Sequence, residues 1–213
     1  MYVPPAFEAT DADEIRRFID VYDFATLVSA GATVPHVSHL PLWLRPAGDG
    51  FGTLVGHVAR ANPHREAFDG RTPALAIFHG PHAYVSPAWY AKGPAVPTWN
   101  YAVVHVHGTP RILSDDGEVA ALLDALVERY EAGRRERWRP DLPDDFARAM
   151  RGAITAFELP IERVEAKFKL GQNRSPADRA GTLAGLEAEG RPAADALAAF
   201  LRARGDGEPP RKG

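Results

Sequence analysis

Apolar residues recur at helical spacing in some stretches of the chain and at strand spacing in others. Ile15, Phe18, Ile19 and Tyr22 share one side of a short helix that Asp11 caps and that runs through Asp20. Val119, Leu122, Leu123 and Leu126 form the stripe of a longer helix over residues 117–130, capped by Asp115. Residues 144–150 predict another short helix, and residues 176–189 and 192–202 predict two alanine-rich ones. Ser175 caps the first of these two, with Pro176 at its first position and Asp178 at the capping-box position. Asn62 caps a brief helix that opens with Pro63, carries Glu66 and is stopped by Gly70.

The strand-like runs are short. Residues 24–29 predict a buried strand followed by a turn at Gly31, and residues 37–44 a second, with Pro41 marking an edge or a bulge. Residues 51–58 form the third, joined to the second as a hairpin through the turn at 48–50. Residues 74–78 are apolar throughout and predict a central strand, residues 83–86 another short one, and residues 101–112 a long one with Gly108 near its middle. Alternation at Ile154, Ala156, Leu159, Ile161 and Val164 predicts that residues 154–168 close the sheet, with Pro160 at a bulge or edge. The loop at 87–99 is rich in proline and tryptophan, and loops of that length inside a domain are more often functional than idle. Hairpin-type spacing with helices at the ends argues for a barrel or closed sheet rather than βαβ repeats. No Gly-rich dinucleotide loop or P-loop follows any predicted strand.

Composition narrows the function classes. The 213 residues suffice for one substantial core. With 25 basic against 28 acidic residues, the net charge of -3 gives no support for a duplex-DNA face. The absence of cysteine removes disulfides, thiolate metal sites and cysteine nucleophiles, and suits a reducing cytoplasm. Residues 1–10 lack a basic region before an apolar run, so no signal peptide is expected, and no stretch approaches a membrane span. The expected organisation is one domain over residues 1–185, a C-terminal helix over 186–204 and a disordered tail over 205–213.

Three clusters carry chemistry. In the first, Gly56-His57 through Asn62-Pro63, a histidine and an arginine sit at a strand end beside a helix N-terminus. One reading makes Asn62 only the cap there and His57 a hydrogen-bonded core residue; in the alternative Arg60 and the helix end hold phosphate or propionate, with His57 lining the ligand or ligating iron. The second joins residues 78–90 to residues 96–101, where Tyr84, Ser86, Thr98, Trp99 and Asn100 suit either a subunit interface or the wall of a planar cofactor. The third is Lys167-Phe168-Lys169 through Arg174-Ser175, whose alternation puts both lysines on one strand face, as a basic mouth for phosphate or carboxylate or as a solvated charge run. His105 and His107 share a strand face, and His36 and His39 flank a strand start, but none has a zinc spacing. The Arg134–Arg137 run reads as solvated surface, and no serine sits in a nucleophile elbow.

The blocks His39-Leu40-Pro41, Gly56-His57 through Pro63, Gly80-Pro81 through Tyr90, Pro97 through Tyr101 and Lys167 through Ser175 resemble the signature blocks of the PaiB family, over roughly residues 1–185. That family is called FMN-binding negative transcriptional regulators. The resemblance implies a mainly β fold with flanking helices, the split β-barrel of FMN-binding and pyridoxamine-phosphate-oxidase-like proteins, and a homodimer with sites at the interface. It further implies that Arg60, Lys167, Lys169 and Arg174 meet the FMN phosphate, while Tyr84, Ser86, Thr98, Trp99 and Asn100 line the ring. The chain is also similar to haem-dependent piperazate synthases, in which the histidine matching His57 ligates haem iron. That makes haem b, with His57 as axial ligand, the alternative cofactor. Lys169 through Ser175 follows the general PaiB form and departs from the synthase form after Gln172. The function expected is regulatory or redox-sensing, the alternative being a flavin oxidoreductase or a haem enzyme acting on a hydroxylated amine. No helix-turn-helix is visible.

Overall fold

The structure is a computed structural model that describes residues 1–48, 50–91 and 93–205. In chain order it contains α1 (Ala12–Val21), β1 (Phe24–Ser29), β2 (His36–Pro41), β3 (Trp43–Arg45), β4 (Thr53–Ala59), β5 (Ala74–Val85), β6 (Thr98–Gly108) and β7 (Arg111–Ile112). Then follow α2 (Asp116–Glu131), α3 (Asp144–Gly152), β8 (Ile154–Lys169), α4 (Pro176–Glu189) and α5 (Pro192–Ala203). The sheet order is β2-β1-β5-β6-β8-β4-β3, with β7 also beside β8. β1 runs antiparallel to β2 and β5, β4 to β3 and β8, and β7 to β8. The expected class, mainly β with flanking helices, is the observed one. The tail expected after Gly205 lies outside the described residues.

The caps form as the sequence requires. Asp11 Oδ1 accepts from the N–H groups of Asp13 and Glu14 at 2.9 and 3.0 Å, and Asp115 Oδ1 from Glu118 at 2.9 Å. Three strand boundaries differ from expectation. The runs 74–78 and 83–86 are one strand, β5. Gly80 interrupts nothing: a Cβ there would lie 2.6 Å from the Phe18 ring, so the glycine admits an aromatic ring rather than making a turn. The run 37–44 is two strands. Leu42 breaks it by donating its N–H to Asp23 O at 2.9 Å, and the chain passes from β1 to β4 as its partner. The run 101–112 ends at Gly108, and β7 begins beyond Pro110, which has no N–H for a ladder.

The chain forms two compact units, each discontinuous in sequence. The first comprises Met1–Phe18, His79–His105 and Glu165–Gly213. Its core is an aromatic trio: Phe18 lies 5.0 Å from Phe168 and 6.1 Å from Phe200, and Phe168 lies 5.9 Å from Phe200. Leu183, Leu186, Leu197 and Leu201 bury the helical pair, and Gly190 closes α4 in the left-handed conformation at φ 63°. Gly181 and Gly185, one turn apart on α4, present no side chain to Trp89, whose carbonyl and ring occupy the space that two Cβ atoms would need.

The second unit comprises Ile19–Phe78 and Val106–Val164. Leu122 and Leu126 of α2 pack on Val55 of β4 and Ala156 of β8, with Trp43, Leu113 and Val119 around them. Buried Glu158 accepts from Arg45 Nη2 and Arg111 Nε, both at 2.7 Å. His64 is fully buried between two hydroxyls, Ser38 Oγ 2.9 Å from Nδ1 and Ser29 Oγ 3.0 Å from Nε2, and stacks on His36 at 5.5 Å. Burial, and secondarily the neighbouring His36, lowers its pKa to about 4. The unfolded state therefore binds more protons than the folded state between pH 6.5 and about 4, and stability falls as pH falls through that window. The expected loss, allowing for partial screening, is about 2 kcal/mol. Urea melts at pH 7 and pH 4.5 measure it; an unchanged difference between those melts in His64→Gln would show that another group is responsible.

Candidate cofactor sites

The residues singled out from sequence fall into two sets. Tyr84, Ser86, Thr98, Trp99, Asn100, Lys167, Lys169 and Arg174 belong to the first unit, and His57, Arg60 and Asn62 to the second.

In the first unit the strand period of β8 throws Lys167 and Lys169 to one face and Phe168 into the core, so burying the phenyl ring aims both ammonium groups. Lys169 Nζ donates to Trp99 O at 2.7 Å and also to Thr98 Oγ1. Lys167 Nζ donates to Tyr2 O at 3.1 Å and lies over the rings of Tyr2 and Tyr101, at 5.5 and 5.4 Å. The Arg174 guanidinium stacks 4.5 Å over Tyr90. Burial lowers the Lys169 pKa, and the charges of Lys167 and Arg174 lower it further. Among the described residues neither lysine has a carboxylate partner, so the three cations leave positive charge that an anion would relieve.

Tyr84 and Trp99 meet edge to face at 6.3 Å and 79°, and are 39% and 55% exposed, so a planar group can reach both. Asn100 is buried beside Gly171. The Ser86 hydroxyl is taken up locally, accepting the Ala88 N–H at 3.2 Å as the cap of a 3₁₀ turn.

In the second unit His57 lies near the end of β4 and Arg60 directly follows that strand. His57 is half-buried at the wall of an open cavity of about 850 Å³ lined by α2, α3 and the segment between them. Leu123, Leu126, Val127, Trp138, Leu142 and Met150 give it an apolar lining. His57 Nδ1 is buried and, among the described residues, has no hydrogen-bond partner, and burial holds the imidazole pKa below its ordinary value, so the ring is neutral at pH 7. A neutral imidazole on the wall of an apolar cavity is the kind of donor that haem iron takes, while its buried Nδ1 has, among the described residues, no acceptor of the sort that usually orients a ligating histidine. Asn62 acts as the cap, its Oδ1 accepting from His64 N at 3.0 Å and its Nδ2 donating to Ser38 Oγ at 3.1 Å.

Arg60 Nε donates to the Gly152 carbonyl, and its side chain lines a recess of about 470 Å³ with Arg65, Arg148 and Arg151. Sequence reasoning missed the part that α3 plays in both spaces. Its signal was there in Trp138, Leu142 and Met150, large apolar residues scattered through a polar stretch, but their spacing matches neither a helix stripe nor a strand face.

Residues 1–163 match the family described as "Putative FMN-binding domain". The chain is 34% identical over 203 residues to protease synthase and sporulation protein PAI 2 of Bacillus subtilis, covering 94% of this chain and 96% of that protein. It belongs to the PaiB family of FMN-binding domains. Among solved structures it is similar to an FAD and haem binding protein from Mycobacterium smegmatis, at 22% identity and a TM-score of 0.59, over 77% of this chain and 74% of that one. It is also similar to the flavocytochrome Anf3 from Azotobacter vinelandii, at 19% identity and a TM-score of 0.60, over 78% of this chain and 70% of that one. These two likenesses concern the fold, which for this family is the split-barrel, FMN-binding type. Among the described residues no helix is long and apolar enough to cross a membrane.

Proposed function

We propose that this chain binds FMN as a homodimer in a regulatory or redox-sensing role, with the phosphate at Lys167, Lys169 and Arg174 and the ring against Tyr84 and Trp99. The observation that carries the reading is the convergence of three cations in which Lys169 is destabilised by burial and by its two positive neighbours. A phosphate dianion would turn that repulsion into charge-assisted hydrogen bonds. The exposed Tyr84 and Trp99 pair supports both a ring contact and a partner subunit that covers it. The family description and the likeness to a sporulation protein support the flavin and the regulatory role, respectively. When bound, the flavin supplies one- or two-electron chemistry; the protein's residues position it and tune its charge environment.

Titration with FMN and with riboflavin tests the reading. FMN should bind at least about tenfold more tightly, the worth of one or more hydrogen bonds to a charged phosphate. Equal affinities would remove the phosphate from Lys167, Lys169 and Arg174.

A second reading is haem at His57, favoured by a neutral, half-buried imidazole on the wall of a large apolar cavity. Its mark is a Soret band on adding haem that His57→Ala abolishes.

A further inference from the structure

The apolar cavity and the arginine recess of the second unit share lining residues, Arg151 and Ile154. The recess carries four arginines, Arg60, Arg65, Arg148 and Arg151, against one carboxylate, Asp116. None of the four makes an ion pair with a described carboxylate, although this chain pairs arginines freely elsewhere, as Arg129 does with Asp20 and Arg202 with Glu187. The cavity wall shows an apolar counterpart to this unpaired charge. Trp138, Leu142 and Met150 are 52%, 40% and 48% exposed, large apolar side chains left facing an open space.

We infer that the cavity and the recess form one site for an apolar organic acid, whose body fills the cavity and whose carboxylate meets the arginines. Each half alone is incomplete. A neutral apolar ligand leaves the guanidinium groups unmatched, and a bare inorganic anion leaves the apolar wall wet. Cavities of about 300–1,000 Å³ with an apolar lining and a few convergent polar groups are the usual form of small-molecule sites. Arginine is the residue that matches a carboxylate through two parallel N–H donors.

His57 lines the cavity and not the recess, although it pairs across the ladder with Ala156 of the recess wall, and it adds a neutral polar contact to the body of the ligand. The inference deepens the second reading above where the acid is haem, whose carboxylates would take the recess, and it needs no iron where the acid is a metal-free aliphatic or aromatic one. It concerns residues of the second unit only, so it is independent of FMN binding at Lys167, Lys169 and Arg174.

Calorimetric titration of the full chain with decanoate, decanol and haem tests it, using wild type, the double variant Arg148→Ala/Arg151→Ala, and His57→Ala. Decanoate should bind one to one and at least about tenfold more tightly than decanol, as a charge-assisted pair implies. The double variant should bring decanoate down to the decanol level while its FMN affinity and far-UV circular dichroism stay as in wild type. Equal binding of decanoate and decanol, indifference to the double variant, or no decanoate binding would each overturn the inference.

The haem arm separates the two readings. No Soret band together with decanoate binding as expected ends the haem reading and leaves the acid site standing. A His57-dependent Soret band that the double variant weakens about tenfold identifies haem as a ligand of that acid site. A His57-dependent band unaffected by the double variant, with no decanoate binding, retains haem and overturns the acid site.

Discussion

Phe168→Ala should destabilise the protein by about 3–5 kcal/mol, the range for truncating a fully buried phenylalanine. Phe168 is 1% exposed and touches both other members of the aromatic trio, with the Arg204 guanidinium 5.1 Å above its ring. Removing it leaves Phe18 and Phe200 lining a cavity, which adds to the cost of the lost burial. At roughly 2–4 °C per kcal/mol for a chain of this size, the melting temperature should drop by about 6–20 °C. The ring also sets the direction of its neighbours, because Lys167 and Lys169 share the strand face opposite to Phe168. FMN affinity should therefore fall as well, measured at a temperature where the variant is still folded. A drop in melting temperature below about 1 °C would mean that the trio is not where this unit's stability lies.

Lys169→Ala should weaken FMN binding by about 30- to 100-fold, equivalent to about 2–2.7 kcal/mol. Lys169 is the one cation of its group that is held by a backbone carbonyl and a hydroxyl, at Trp99 and Thr98, on the strand that also carries the exposed ring. On the proposed site, truncating it removes a phosphate donor, and it releases the start of β6 from β8. Riboflavin, which lacks the phosphate, should lose far less affinity in the same variant. That contrast distinguishes lost charge pairing from a disturbed ring pocket. Thermal stability should change little, since the folded protein keeps Lys169 charged only against burial and two like charges. If FMN and riboflavin weaken in parallel, Lys169 positions Trp99 and does not hold phosphate.

Much of this was legible in the residues. The cap positions Asp11, Asn62, Asp115 and Ser175 were readable because a cap is decided by one side chain and the two or three N–H groups that follow it. The stripe of α2 and the alternation of β8 were readable because burial on one face imposes a period on the chain itself. Strand limits were less so. Gly80 and Pro81 carry the composition of a turn, yet they lie inside β5, because the glycine makes room for the Phe18 ring, a partner more than 60 residues away in the chain. Leu42 looks like the middle of a strand and is a break, because its N–H goes to Asp23.

The candidate residues divide the same way. Lys167, Lys169 and Arg174 could be picked out together since they lie within eight positions of one another, and a strand period followed by a helix cap fixes their directions. Asn62 and Ser86, also singled out as ligand contacts, each cap the short turn beside them, a role already legible in the sequence for Asn62. The cavity at His57 and its arginine recess were beyond the reach of sequence. Their walls come from β4, from the 3₁₀ turn after it, from α2 and from α3, elements up to about 90 residues apart whose meeting depends on tertiary packing. Local chemistry thus determined the caps, the periodic faces and the basic strand end, since each needs only neighbours along the chain. The close approach at Gly80, the break at Leu42 and the adjoining cavity and recess were decided by the tertiary structure, because each depends on atoms that the chain brings together only when it folds.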